Sequence, residues 1–382
     1  MSALEAAFIG VLITLTYIYF GYPFSVLIFS KWIRKEIRRG EYAPQVTIVI
    51  SAFNEEGSIG ETIRNKLSLN YPEKKLEIIV VSDGSTDRTD EIVKSFISSN
   101  VRFFRQEPRG GKTSALNLAV REAKGEIIVF SDANSIYDRE ALRHLMSNFN
   151  DPTIGYVTGK MIYANPDGSM IGDGCSAYMK YENFLRSKET LIGSIVGVDG
   201  GIDAVKKELY RPMMPHQLPD FVLPLSVVQQ GYRVVYEPNA LLKEQALSAA
   251  RDEYKMRVRV SLRSLWTLME MKSLFNLFRY GWFSWQLFSH KLLRYAAFGL
   301  MLALYVLNGF LLGDHRIYQL FFFLQTLFHT GSYIGYLLQT KKWDLRLFYI
   351  PFYFSLINIA AGHAFLKFLK GEKQALWVPR KG

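Results

Sequence analysis

Long uncharged apolar runs flank a central region of mixed polarity in this chain. The runs cover residues 6–30, 295–313, 317–340 and 347–366. Each is close to the roughly 20 residues that a helix needs to cross a bilayer. The pattern predicts an N-terminal transmembrane anchor over residues 1–31 and C-terminal transmembrane helices over residues 295–370.

Basic residues beside the apolar runs predict an orientation. The cluster that follows the first run consists of Lys31, Arg34, Lys35, Arg38 and Arg39. Because such residues concentrate on the cytoplasmic side, the central domain is expected in the cytoplasm and the N-terminus outside, with the plasma membrane as the location. The basic tail, residues 371–382, also favours the cytoplasmic side. Four spans in series would instead place the tail outside, because the N-terminus is expected outside. One segment, with residues 347–366 as the candidate, is therefore expected to be re-entrant or to lie flat.

The net charge and the single cysteine limit the expected partners and the expected cellular compartment. The formal net charge is +11, and its excess beside the apolar runs predicts contact with anionic lipids of the bilayer. No recognised nucleic-acid motif accompanies the basic residues, so nucleic acid is not an expected partner. Residues 266–294 mix aromatic and basic side chains, which predicts interfacial amphipathic helices. The single cysteine, Cys175, cannot form a disulfide within the chain, which fits a reducing compartment.

The central region, residues 32–265, has the pattern of an α/β domain. Predicted strands cover residues 46–50, 76–81, 101–104 and 127–130, and predicted helices cover residues 58–69, 89–98 and 113–122. Alternation of this kind is typical of parallel βαβ units. Ligands of open parallel sheets bind outside the carboxyl ends of the strands. The polar residues that follow each strand are therefore the candidates for a site.

Three acidic polar loops follow the first, second and fourth predicted strands. They cover residues 51–56, 82–87 and 131–134. One such loop could be a turn or a helix cap, but three at one edge predict a binding site. The Asp83 carboxylate can accept a hydrogen bond from uracil or guanine, and Asp132 and Asn134 project from one face of an extended segment. Their oxygens suit Mg²⁺ or Mn²⁺, which would stabilise a leaving nucleoside diphosphate. The Gly110–Thr113 segment has Gln106 where a P-loop needs glycine, which excludes an ATPase.

Four short segments in this order and spacing resemble family 2 glycosyltransferases with the GT-A fold. They are Ala52-Phe53-Asn54-Glu55-Glu56, Ser82-Asp83-Gly84-Ser85-Thr86-Asp87, Gly111-Lys112-Thr113-Ser114-Ala115-Leu116-Asn117 and Ser131-Asp132-Ala133-Asn134. Within the family, the chain resembles the membrane synthases of the hyaluronan, chitin and poly-N-acetylglucosamine type. The resemblance implies a mainly parallel, Rossmann-like GT-A domain with transmembrane segments at both ends.

The resemblance also implies roles for individual residues. Ala52, Asn54, Glu55 and Asp83 would hold the nucleoside, Lys112, Arg257 and Arg259 would meet the sugar or the phosphates, and Asp132 and Asn134 would bind the metal and, through it, the nucleotide-sugar. Asp220 would be the general base that deprotonates the acceptor hydroxyl. Read from the residues alone, Asp220 could instead cap a helix that starts near Phe221. The two arginines could instead form a basic face near lipid headgroups.

The chain departs from the family pattern at three places. Asn134 stands where the metal motif usually ends in Asp, and Pro219 stands where the base motif usually has a first acidic residue. Val260 follows Arg259 where the processive synthases have Trp. The first departure leaves the metal site with one neutral ligand. The third leaves processive synthesis without its usual sequence signature.

The resemblance implies an inverting membrane glycosyltransferase that uses a nucleotide-sugar, with a UDP-hexose or a UDP-N-acetylhexosamine as the expected donor. A growing polysaccharide is the first acceptor to consider. The alternatives are a single transfer to a membrane lipid and, from another class, an inactive scaffold that partners another synthase. If the product is exported through so few helices, a homo-oligomer or a partner protein is expected.

Overall fold

A central sheet with helices on both faces joins the apolar ends of the chain. The computed structural model describes residues 1–164, 170–245, 249–340 and 346–376. The strands are β1 (Val46–Ala52), β2 (Leu76–Ser82), β3 (Val101–Arg105), β4 (Ile127–Asp132), β5 (Ile136–Tyr137), β6 (Ile154–Ala164), β7 (Ile202–Lys206) and β8 (Arg233–Gln245). The helices are α1 (Ala3–Ile33), α2 (Ile59–Leu67), α3 (Thr89–Lys94), α4 (Lys112–Glu122), α5 (Ala141–Asn148), α6 (Met170–Ile192), α7 (Pro219–Gln229), α8 (Ala250–Glu270), α9 (Leu277–Tyr280), α10 (Trp282–Phe310), α11 (Arg316–Thr340) and α12 (Tyr349–Leu369).

The strands lie in the order β3-β2-β1-β4-β7-β6-β8-β5. Strands β1 to β4 are parallel to one another, as the βαβ pattern predicts. Strand β7 runs antiparallel to β4 and to β6, while β8 is parallel to β6 and β5 is antiparallel to β8. The order reverses beside β1, which is where an open α/β sheet forms a crevice for ligands.

Both faces of the sheet are covered. Val46, Ile48 and Ile50 of β1 pack into one apolar layer, and Val49 packs into the layer on the other face. All seven residues of β1 are buried, as expected for a central parallel strand. This rigid double-sided core fixes the positions of the loops at the carboxyl edge.

The strands extend further toward this edge than the apolar pattern predicts. β1, β2 and β4 end at Ala52, Ser82 and Asp132 rather than at residues 50, 81 and 130. Backbone pairing continues beyond the last apolar residue, because Ser51 pairs with both Val81 and Asp132. Asp132 is therefore held in a strand rather than in a loop.

Among the described residues, three helices are long and apolar enough to cross a membrane: α1, α10 and α12. Helix α1 begins with a capping box, in which Glu5 N–H donates to the Ser2 hydroxyl at 3.1 Å and Ser2 N–H donates to the Glu5 carboxylate at 2.7 Å. Phe8 of α1 packs against Leu304 and Leu311, at the far end of α10. The opposite ends of the two helices lie at the central domain, where Tyr22 and Val26 of α1 and Trp285 of α10 pack with Leu185 of α6.

One of the predicted C-terminal segments has different bounds in the structure. Helix α10 begins at Trp282, so residues 282–294, predicted to be interfacial, are continuous with the apolar helix that follows. Helix α11 covers the predicted run 317–340, and its role as a membrane span stays a prediction. Helix α12 packs along α8, with Tyr353 donating to Glu253 at 2.7 Å. The flat or re-entrant placement of residues 347–366 stays a prediction.

Candidate active site

One cavity of about 360 Å³ connects the carboxyl edge of the sheet with the helices at the chain ends. Of the residues predicted for the site, its walls include Glu55, Lys112, Asp132, Asn134, Asp220, Arg257 and Arg259. These residues come from five places in the sequence between β1 and α8. The fold therefore brings most of the predicted site residues together around one cavity.

Lys112 lies between the two carboxylates predicted to carry the reaction. Its ammonium donates to Asp132 Oδ1 at 2.6 Å and lies 3.9 Å from Asp220 Oδ1. Although burial disfavours its charge, Asp132 and Asp220 hold the pKa of Lys112 above its ordinary value. The lysine therefore stays protonated and partly neutralises both carboxylates.

Asp220 is placed by the start of helix α7. The helix begins at Pro219, a residue suited to the first helical turn, and Leu218 is the N-cap residue, with no side-chain cap hydrogen bond. The Asp220 side chain is 27% exposed, and it lines the cavity. The structure therefore gives no support to the reading of Asp220 as a helix cap.

Gly200, just before β7, makes room for the Asp220 carboxyl. Its φ of +84° lies in the left-handed region that favours glycine. A Cβ atom built on Gly200 would fall within contact distance of the Asp220 carboxyl carbon and oxygens. Glycine is therefore needed here for both backbone and space.

Buried acidic groups near the cavity have altered proton affinities. Burial raises the pKa of the Asp220 carboxyl above its ordinary value, and the Lys112 ammonium opposes this shift. Asp203 on β7 is 1% exposed, and burial, with a further contribution from Asp220, raises its pKa to about 8. Burial therefore favours the neutral form of Asp203, and Asp220 is better suited to accept a proton than an exposed aspartate.

Asp132 and Asn134 lie on one wall of the cavity and offer oxygen ligands to a cation. Within the described ranges, no three His, Cys, Asp or Glu side chains cluster tightly enough to hold a metal by themselves. A carboxylate and an amide oxygen are hard donors of the kind that Mg²⁺ and Mn²⁺ prefer, with phosphate oxygens to complete the shell. The donor set fits a metal that is bound together with a nucleotide.

Three of the predicted nucleoside-binding residues lie outside the cavity walls. Ala52 is fully buried in the sheet. Asn54, at φ +55°, joins two loops, because its Oδ1 accepts from Thr86 N–H at 2.8 Å. The Asp83 carboxylate is fully buried. It accepts hydrogen bonds from Gln106 Nε2, Arg109 Nε and the backbone N–H groups of Gly110 and Gly111, at 2.7 to 3.3 Å.

The arginines of α8 differ in their surroundings. Arg257 donates to Glu253 and to the Tyr353 hydroxyl, both at 2.8 Å, so it is tied to α12. Arg259 and Arg263 also line the cavity. Arg263, which the sequence argument missed, donates to Thr113 Oγ1 at 2.9 Å. Its place one helical turn after Arg259 was the signal that could have identified it.

Helices near the chain ends complete the cavity walls. Tyr19 of α1 donates to Asn358 Oδ1 of α12 at 3.0 Å, and both residues line the cavity together with Lys291 and Arg294 of α10. Buried His290 of α10 contacts Glu189 of α6 at 2.7 Å. These contributions could not be predicted from the sequence, because they depend on how helices distant in the chain pack together.

Comparison with known proteins agrees with this arrangement. The model of glycosyl transferase family 2 matches residues 47–202. A poly-beta-1,6-N-acetyl-D-glucosamine synthase of Staphylococcus aureus (strain MSSA476) is 28% identical over 241 residues, which cover 59% of this chain and 58% of the relative. The synthase of the same name from Staphylococcus epidermidis is 27% identical over 242 residues, which cover 60% of this chain and 58% of the relative. The match thus spans less than two thirds of the length of these curated relatives.

Among solved structures, a mannosyltransferase of Pyrobaculum calidifontis in complex with GDP-Man and Mn²⁺ has a similar fold. The TM-score is 0.72 at 22% identity, over 97% of this chain and 99% of that chain. This likeness confirms the fold, including the helices at both ends. The matched segment therefore places a domain of the glycosyl transferase family 2 type at residues 47–202, and the likeness in fold identifies its architecture as GT-A.

Proposed function

We propose that the protein is a membrane-bound inverting glycosyltransferase that moves a sugar from a nucleotide-sugar to a growing polysaccharide. The observation that carries the proposal is the single cavity that joins Asp132 and Asp220 and continues to the helices at the chain ends. The nucleotide-sugar and the acceptor can thus meet in this cavity. The names of the Staphylococcus relatives support UDP-N-acetylglucosamine as the first donor to test, with other UDP-hexoses next.

The proposed reaction is a single displacement. Asp220 takes the proton of the acceptor hydroxyl as its oxygen attacks the anomeric carbon, and the bond to the nucleoside diphosphate breaks. Lys112, Arg259 and Arg263 place positive charge where the diphosphate leaves. A divalent metal held by Asp132 and Asn134 would neutralise further charge on that leaving group.

The acceptor is proposed to enter from the membrane side. Tyr19, Tyr295 and Asn358 belong to helices that are apolar enough to span a membrane, and they line the cavity. The cytoplasmic side is proposed for the catalytic domain, because the basic cluster follows α1 directly.

A second acceptor class is favoured by the charge at this end of the cavity. Lys291 and Arg294 of α10 line it, and Lys291 lies 3.9 Å from Glu182 with a 17% exposed side chain. The ammonium group of Lys291, at the end of the cavity formed by the apolar helices, can bind the phosphate of a lipid-linked acceptor. The size of the labelled product separates the two acceptors: a polymer supports the first and a single-sugar lipid supports the second.

Removal of the metal is expected to abolish the activity. Purified full-length protein in nanodiscs would be given a panel of nucleotide-sugars, and release of nucleoside diphosphate would be measured with Mg²⁺ or Mn²⁺ and with EDTA. Release from one donor, lost in EDTA and restored by excess metal, is the expected result. Equal release in EDTA would contradict the metal role. Folded protein that is silent with every donor and acceptor extract would favour the inactive scaffold.

The pH dependence of kcat/KM is expected to report the Asp220 carboxyl. A base acts only when deprotonated, so activity falls as the pH drops through its pKa, which burial places above the ordinary aspartate value. Lys112 lowers this pKa, so Lys112→Met is expected to move the acidic limb to higher pH, whatever it does to the absolute rate. The measurement is a kcat/KM profile of both proteins. An acidic limb at the same pH in both would contradict the assignment.

A further inference from the structure

A buried carboxylate outside the predicted motifs stands beside the metal-binding wall. The pairing of β5 with β8 places Ile136 opposite Lys243 and Tyr137 opposite Leu242. This register brings the next residue of β8, Glu244, next to the loop that carries Asn134. Because side chains alternate along a strand, Lys243 is exposed while Leu242 and Glu244 point inward. Glu244 is 4% exposed and lines the cavity.

The contact between Asn134 and Glu244 orients the amide. Asn134 Nδ2 donates to Glu244 Oε1 at 3.5 Å, the long end of hydrogen-bond distance. An amide nitrogen cannot bind a cation, but an amide oxygen can. With the nitrogen turned to Glu244, the oxygen of Asn134 is the atom left for a metal ligand.

The number of carboxylates on the cavity wall that carries Asn134 is a second argument for a cation site. Asn134 replaces an aspartate of the family pattern, so the motif itself supplies one carboxylate, that of Asp132. Glu244 returns a second negative charge to the same cavity. The affinity of a site for a divalent cation depends on the number of charged ligands.

We propose that Glu244 is the second carboxylate of the metal site and compensates for Asn134. The proposal rests on the proposed function, because it concerns the metal of that reaction. It predicts that the negative charge can be moved between positions 134 and 244 without loss of metal affinity.

The test is direct binding of Mn²⁺ to the full-length protein in nanodiscs of zwitterionic lipid, followed by the loss of the electron paramagnetic resonance signal of free Mn²⁺. UDP is present throughout, because phosphate oxygens are expected to complete the metal shell, and its own binding of Mn²⁺ is subtracted with a titration that contains no protein. Glu244→Gln is expected to weaken binding about 10- to 100-fold, the range found when groups that support metal ligands are removed. Glu244→Gln combined with Asn134→Asp is expected to return the affinity to about the wild-type value, because the number of carboxylates is restored.

Glu237→Gln is the matched control. Glu237 is a 1% exposed glutamate of the same strand, but it pairs with Arg39 and Asn148 and does not line the cavity. It is expected to leave Mn²⁺ affinity unchanged. Thermal unfolding of each variant tests that the fold is retained. If Glu244→Gln does not fold, Glu244→Asp decides: it keeps the charge but withdraws the carboxylate by one methylene, so the proposal expects weaker Mn²⁺ binding, and unchanged affinity overturns it.

Three further results would overturn the proposal. Glu244→Gln could bind Mn²⁺ as the wild type does, or the double variant could bind as weakly as Glu244→Gln, which would indicate a purely structural role. Wild-type protein that releases nucleoside diphosphate but binds no Mn²⁺ would also reject the metal role of Glu244. In each case the glycosyltransferase function would stand, because it is measured separately by product release.

Discussion

Asp220→Asn is expected to lower kcat by about 10²- to 10⁴-fold, the usual contribution of a general base. The amide keeps the shape of the carboxyl but cannot take the proton of an acceptor hydroxyl. Because donor binding does not need this proton transfer, KM for the nucleotide-sugar is expected to change little. Steady-state release of nucleoside diphosphate in nanodiscs measures both constants.

Asp252→Asn is the control for this substitution. Asp252 also lies in the first turn of a helix, α8, but it is exposed and outside the cavity. The Asp252→Asn substitution removes one negative charge near the start of a helix but lies outside the site, so a kcat near the wild-type value is expected. An Asp220→Asn enzyme with kcat within about threefold of wild type would exclude Asp220 as the base, since a general base contributes far more.

Gly200→Ala is expected to lower kcat by about 100-fold, which is the cost of misplacing a reacting group by about 1 Å. The added methyl group would collide with the Asp220 carboxyl and would stand at a φ of +84°, where alanine is strained. Either the carboxyl or the backbone must move. The assay is again product release, with thermal unfolding measured in parallel.

Gly193→Ala is the matched glycine control, because a Cβ atom at Gly193 would meet nothing within 4 Å and the backbone is not left-handed. It is expected to retain nearly full activity. Full activity of Gly200→Ala would mean that the Asp220 carboxyl does not need its present position. A loss of folded protein equal to the loss of activity would assign Gly200 to stability instead.

The sequence pattern predicted the parallel part of the fold well. Short β-branched runs such as Val46 to Ile50 have few alternatives to a buried strand, and the polar residues after them lie at the sheet edge by topology. Lys112, Asp132 and Asp220 lie together as expected. The strand ends were less predictable, because Ser51 and Asp132 are paired through the backbone, which side-chain polarity does not reveal.

The rest of the site depends on contacts between distant segments. Glu244 reaches the cavity through the pairing of a two-residue strand, β5, with β8. Lys291 and Asn358 reach it through the packing of α10 and α12. Neither local periodicity nor residue spacing contains this information. Helix α10 also starts earlier than predicted, because the basic residues at 291 and 294 interrupt the apolar run but not the helix.

The crowded surroundings of Asp83 have a consequence for mutagenesis. Its carboxylate holds the segment from Gln106 to Gly111 through four donors. Alanine at position 83 would leave those donors without their acceptor, and the segment that leads into Lys112 would loosen. A fall in nucleotide affinity after Asp83→Ala would therefore not demonstrate a base contact by itself, because a displaced lysine would lower the affinity as well. A direct contact between Asp83 and the nucleobase needs its own test. That test compares the affinities of wild-type and Asp83→Ala protein for donors that share a sugar and differ in the base.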